Sequence, residues 1–134
     1  MTDPIRQNAI NHLLGAHRRS EHQIRESLDL GGEHATAHHI QTLTDCSDLC
    51  RVTGDLLDRH SEWALQLCEL TARVCTDTAE RCDRLGESVC AAVCRAAADA
   101  CTVYTEQVRT AAEAELLRDD EWLHNGSERL APGQ

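Results

Sequence analysis

The chain has 134 residues and a formal charge of −10, with thirteen arginines and no lysine. That length bounds it to about one domain, and the negative balance argues against nucleic acid and anionic membrane as partners. Two Trp, one Tyr and no Phe leave Ala, Leu, Val, Ile and Cys as the apolar set. Such small side chains suit closely packed helices better than a β-sandwich. No stretch is long enough to span a bilayer. The first twenty residues lack the apolar run of a signal peptide. The cytoplasm is the expected location, where thiols stay reduced.

In chain order, Asp3-Pro4 predicts a helix start, with Asp3 as N-cap and Pro4 at the first helical position. Ile10, Leu14, His17, Glu21, Ile24 and Leu28 then fall on one heptad-like stripe, and Gly31-Gly32 supplies the cap that ends it. A second helix, from about Glu33 to about Arg59, carries His39, Leu43, Cys46, Cys50, Thr53 and Leu57 on one face. His60-Ser61 is the next break, and Ser61 predicts the N-cap of a third helix reaching about Arg84. Its stripe is Ala64, Cys68, Thr71, Cys75, Thr78, Cys82 and Leu85, closed by Gly86. A fourth helix, from about Glu87 to about Arg118, carries Cys90, Cys94, Ala97, Cys101, Tyr104, Val108 and Ala112. These segments predict an all-α, antiparallel up-down-up-down four-helix bundle over residues 1–118, with cysteine stripes facing the core. Residues 119–134 read as a short polar C-terminal tail with at most one turn around Trp122.

All eight cysteines lie between Cys46 and Cys101, at successive gaps of four, eighteen, seven, seven, eight, four and seven residues. Gaps of four and seven are one and two helical turns. Cysteines seven apart on a helix are separated by about 10.5 Å of rise, too far for a disulfide. Eight thiols in register on three helices are also too many to be only small core hydrophobes. Metal binding accounts for the pattern best. Thiolates select Cu(I), zinc or iron–sulfur clusters, and structural zinc sites favour a Cys-x2-Cys spacing that is absent here. Cys-x3-Cys on a rigid helix points two sulfurs along one face, as a low-coordinate ion requires.

The histidines are weighed beside them. His39 and His17 lie on inner stripes and are candidate ligands. A structural hydrogen bond, such as His17 to Glu21, is the alternative for them. His34 and His38 are four apart, a spacing that can hold a metal on a helix. Counting from the turns places His39 beside Cys82 and Cys90 with Glu21 or His22 opposite. Cys46, Cys75 and Cys94 form the next layer with His17 facing, and Cys50, Cys68 and Cys101 the layer beyond. An enzyme is not expected: a di-iron site needs Glu-x2-His motifs on two helices and the chain has that spacing once, from Glu121 to His124, and it has no glycine-rich phosphate loop.

The run CSDLCRVTGDLLDRHSEWALQLCELTARVCTDTAERCDRLGESVCAAVCRAAADAC, within Thr42 to Tyr104, resembles the cysteine-rich four-helix-bundle copper storage proteins. The resemblance implies a helical bundle that fills with Cu(I), assembled as a homodimer or homotetramer. Thr53, Leu57, Thr71, Thr78, Ala97 and Tyr104 stand where that family's ladder often has further cysteines, which implies a relative of lower capacity. The expected metal ligands are Cys46, Cys50, Cys68, Cys75, Cys82, Cys90, Cys94, Cys101, His39 and His17. The expected function is cytosolic Cu(I) binding and sequestration. An iron–sulfur redox or sensor protein is the alternative, and a metal-free helical interaction module a second one.

Overall fold

A computed structural model describes residues 3–129, with side chains described for 3–124. It holds four α-helices, α1 (Pro4–Leu30), α2 (Ala37–Asp58), α3 (Ala64–Arg84) and α4 (Ser88–Arg129), and no strand among the described residues. Asp3 caps α1 as its sequence predicts, its carboxylate accepting from the N–H groups of Ile5 and Arg6. Gly31 ends α1 at φ 72° and donates to the Ser27 carbonyl. The left-handed region at that position is what glycine permits without a Cβ clash.

The other boundaries differ from expectation in detail. Residues Gly32–Ala35 form a 3-10 turn, so α2 begins at Ala37 with Thr36 as its cap, the Thr36 hydroxyl accepting from His39 N–H. His34 therefore belongs to the turn and not to α2, and the helical spacing proposed for His34 and His38 does not apply. Helix α3 starts at Ala64, three residues after Ser61, whose hydroxyl accepts from Trp63 N–H in the preceding turn. His60 makes the α2–α3 bend at φ 56°. Helix α4 continues past Arg118 to Arg129: no Pro or Gly interrupts residues 88–125, and Gly126 lies within its last turn.

Each helix packs against two others: α1 against α2 and α4, and α3 against α2 and α4. Consecutive helices pair in opposite senses. Arg6 donates to the Leu57 carbonyl while Ser20 meets Cys46. Thr53 meets Thr71 while Cys50 meets Cys75. Between α3 and α4, Cys82 meets Cys90 and Cys68 meets Cys101. The interior is made of small side chains: all eight cysteines are fully buried, along with Ala9, Ala16, Ala79 and Ala97.

On α2 every residue of the expected stripe is buried; on α3 all but Leu85 are, and on α4 Cys90, Cys94, Ala97 and Cys101 are. The α1 stripe is rotated. Its buried residues are Ala9, Ile10, Leu13, Ala16, Ser20, Gln23 and Ser27, whereas Glu21 and Leu28 are exposed. Close helix approach admits the small residues on the inner line, and Leu14 and Ile24 seal its flank. A count of large apolar residues follows the flank and misses the line.

Candidate metal centre

The thiols gather where the helices bring one-turn and two-turn spacings face to face. Cys46 Sγ of α2 lies 3.9 Å from Cys75 Sγ of α3 and 3.9 Å from Cys94 Sγ of α4. Cys50 Sγ lies 3.4 Å from Cys75 Sγ. Ser20 of α1 donates to Cys46 Sγ at 3.7 Å, the contribution of the helix that has no cysteine. All eight cysteines are free and none is bridged.

Two thiolates that bind one ion at about 2.3 Å in tetrahedral or trigonal geometry stand somewhat under 4 Å apart. The central sulfurs already have that separation. Burial pushes thiols up, but here contact between sulfurs is the larger effect. Cys46 is held low by hydrogen bonds from Cys50, Cys75 and Cys94. Those three partners are pushed up, first by their bonds to neighbouring sulfurs, Cys46 above all, and then by burial. Cys90 is lowered to about 4 by Cys82 and then Cys94. Cys82 is correspondingly raised by Cys90, and Cys101 by Cys68. A cation with affinity for sulfur would take the place of these shared protons.

At one end of the bundle the donors change. Glu87, the residue before α4, is 6% exposed, and its Oε1 accepts from His39 Nε2 at 2.8 Å. Its Oε2 accepts from Ser27 Oγ at 2.9 Å and is 2.8 Å from His34 Nδ1. Burial acts to raise the Glu87 carboxyl, but His34, Ser27 and His39 together hold it below the usual carboxylate range. His39, Cys82 and Glu87 offer ligand atoms all within 4.8 Å of one another, as do Cys46, Cys50 and Cys75.

The sequence places His39 beside Cys82 but gives no role to Glu87. The missed signal is spacing: Glu87 lies three residues before Cys90 and seven before Cys94, on the cysteine stripe itself. The residues expected opposite His39 are not there. Glu21 accepts from Ser47 Oγ at 2.5 Å, and His22 pairs with Glu26 at 2.9 Å on an exposed face. Ser27 takes that position, in step with the rotated α1 face. His17 Nδ1 sits 2.8 Å from Ser47 Oγ and 3.0 Å from the Ser47 carbonyl, and His17 belongs to neither three-residue cluster.

The family model described as copper storage protein matches residues 4–106, which covers α1, α2, α3, the first part of α4 and every cysteine. The chain belongs to the copper storage protein family. The crystal structure of the Nmul_A1745 protein from Nitrosospira multiformis has a TM-score of 0.76 to it at 24% identity, covering 79% of this chain and 99% of that one. At that identity the likeness speaks for the fold alone. No curated protein sequence matches the chain. Membership of a copper storage family implies that the chain binds copper, and no helix among the described residues is long and apolar enough to cross a membrane.

Proposed function

We propose that this copper storage protein takes up Cu(I) in a reducing cytoplasm and holds it in the bundle core between the thiolates of Cys46, Cys50, Cys68, Cys75, Cys82, Cys90, Cys94 and Cys101. One observation carries the reading: the unbridged, fully buried sulfurs of Cys46, Cys50, Cys75 and Cys94, from three helices, each lie 3.4–3.9 Å from a neighbouring sulfur. Cu(I) is satisfied by two or three soft sulfurs, and a thiolate shared by two ions lets neighbouring sites adjoin. An iron–sulfur cluster needs four cysteines set around a body of several atoms; sulfurs this close suit single ions. Thr53, Thr71 and Thr78 interrupt the ladder with hydroxyls, which limits the capacity to roughly four ions at about two thiolates each.

Anaerobic titration of the reduced protein with Cu(I), read by competition with a chromophoric Cu(I) chelator, tests this. Several ions per chain, fewer than the cysteines, with no visible absorption are expected. Failure to compete with the chelator, or a visible iron–sulfur chromophore in protein purified without added metal, would exclude it.

A further inference from the structure

The layer formed by His39, Cys82 and Glu87 differs from the rest of the interior in three respects. Its donors are one nitrogen, one oxygen and one sulfur, where the centre offers sulfur alone. It is built as a metal site is built, with the carboxylate fixed from behind: Ser27 and His34 hold Oε2, and Gln23 Nε2 in turn holds Ser27 Oγ at 3.1 Å. Outer hydrogen bonds of this kind orient a ligating carboxylate and leave its other oxygen for the ion. Last, His39 is 2% exposed and its Nδ1 is buried with no hydrogen-bond partner. Glu87, held as carboxylate, has no proton to give, so the hydrogen between them sits on His39 Nε2. Nδ1, tied to no other group, leaves the ring free to turn its Nε2 from Glu87 to an ion.

Charge decides which ion fits. Glu87 and the Cys82 thiolate together contribute two negative charges to a buried position. A monovalent ion would leave one of them uncompensated there, which is costly in a low-dielectric interior. A divalent ion leaves none. Softness points the same way, since a carboxylate is a poor donor for Cu(I), while mixed nitrogen, oxygen and sulfur ligands are those of zinc-like ions. We propose that His39, Cys82 and Glu87 form a site for a borderline divalent cation of the zinc class at the end of the thiolate core, sharing only the Cys82 sulfur with the Cu(I) ligands.

The ion takes the place between Nε2 and Oε1. The imidazole hydrogen passes to Nδ1, the Cys82 proton leaves to solvent, and one proton is released per ion. Bond lengths of about 2.0–2.3 Å set two ligands of one tetrahedral ion about 3.3–3.7 Å apart, so Nε2 and Oε1 part slightly from 2.8 Å to admit the ion, with the Cys82 sulfur within 4.8 Å of both. Access is available from two clefts, one of about 230 Å³ lined by His34 and Glu87 and one of about 160 Å³ lined by His39, Arg81 and Arg84. With three protein ligands the ion keeps an open position toward them.

Co2+ is the probe, because its visible bands report ligand number and its sulfur charge-transfer band reports how many thiolates bind. The reduced, metal-free full-length protein should bind one Co2+ per chain with the charge-transfer intensity of one thiolate. Glu87→Gln keeps the shape of the side chain and should weaken Co2+ binding at least tenfold, with an unchanged circular dichroism spectrum and an unchanged Cu(I) count. Cys82→Ser should remove the charge-transfer band. If Glu87→Gln fails to fold, the wild-type band intensity and Cys82→Ser decide the matter. No Co2+ binding, intensity from three or four thiolates, wild-type affinity in Glu87→Gln, or a charge-transfer band surviving in Cys82→Ser would each overturn the site. Co2+ binding by a protein that takes no Cu(I) would sink the copper reading alone, and the converse would sink this one alone.

Discussion

Between the central cysteines and the Cys68–Cys101 pair the interior changes character within about one helical turn. Toward Glu87, sulfurs from α2, α3 and α4 touch one another, with Cys46, Cys50, Cys75 and Cys94 in one group and Cys82 and Cys90 in the next. Toward Leu57, the hydroxyls of Thr53 and Thr71 bond each other at 2.8 Å across the same α2–α3 interface. Cys68 and Cys101 lie beyond them as a pair, ahead of the fully buried Leu57. Both regions pack equally well, because Thr and Cys are close in size. They differ in what a metal finds there: a contiguous set of thiolates on one side, and an isolated pair behind a layer without ligands on the other. Packing and metal capacity are therefore set by different properties of the same positions.

The comparison breaks most readily at Cys75, whose sulfur contacts both Cys46 and Cys50. Cys75→Ser should lower the Cu(I) count by more than Cys68→Ser, measured by chelator competition; Cys68→Ser should cost about one ion. Equal losses from the two would mean that the core is one continuous array after all.

The next largest effect is that of pH. Cys50, Cys75, Cys82, Cys94 and Cys101 are raised, so they are protonated at neutral pH and each must lose its proton to bind. Affinity should therefore fall as pH falls, by roughly tenfold per pH unit for each proton displaced. Because Cys46 and Cys90 are lowered, binding should release fewer protons than the number of thiolates engaged. Isothermal titration in buffers of different protonation enthalpy counts them.

Converting the layer between the regions sharpens the contrast. Thr53→Cys combined with Thr71→Cys should join the pair to the centre and add about one Cu(I) per chain, at nearly unchanged volume. The smallest effect concerns stability alone. Thr53→Val leaves the Thr71 hydroxyl buried without its partner and should cost about 1–3 kcal/mol in denaturant unfolding, with the copper count unchanged.

Helices α2, α3 and α4 were legible because cysteine marks the inner line directly, whatever the hydrophobicity of its neighbours. Helix α1 has no such marker. Its inner line of Ala9, Ala16, Ser20 and Ser27 is less apolar than the flank of Leu14 and Ile24, so the period was right and the phase was off by one residue. That phase error moved Glu21 and His22 to the layer that Ser27 occupies. Glu87 was hidden by its neighbourhood, since an acidic residue between Gly86 and a helix start reads as an exposed terminal charge. Only the three dimensions show it buried and bonded by α1, the 3-10 turn and α2 together.

The near-equal size of Cys and Thr along the inner lines of α2 and α3 has a consequence for how such a chain can change over generations. An exchange of Cys for Thr, or the reverse, at any one of these positions adds or removes a ligand while the backbone and its neighbours stay where they are. Capacity can thus drift up or down in steps of one sulfur without passing through an unfolded intermediate. The number of ions a lineage stores can then follow its supply of metal, on a scaffold that selection for folding alone would keep unchanged.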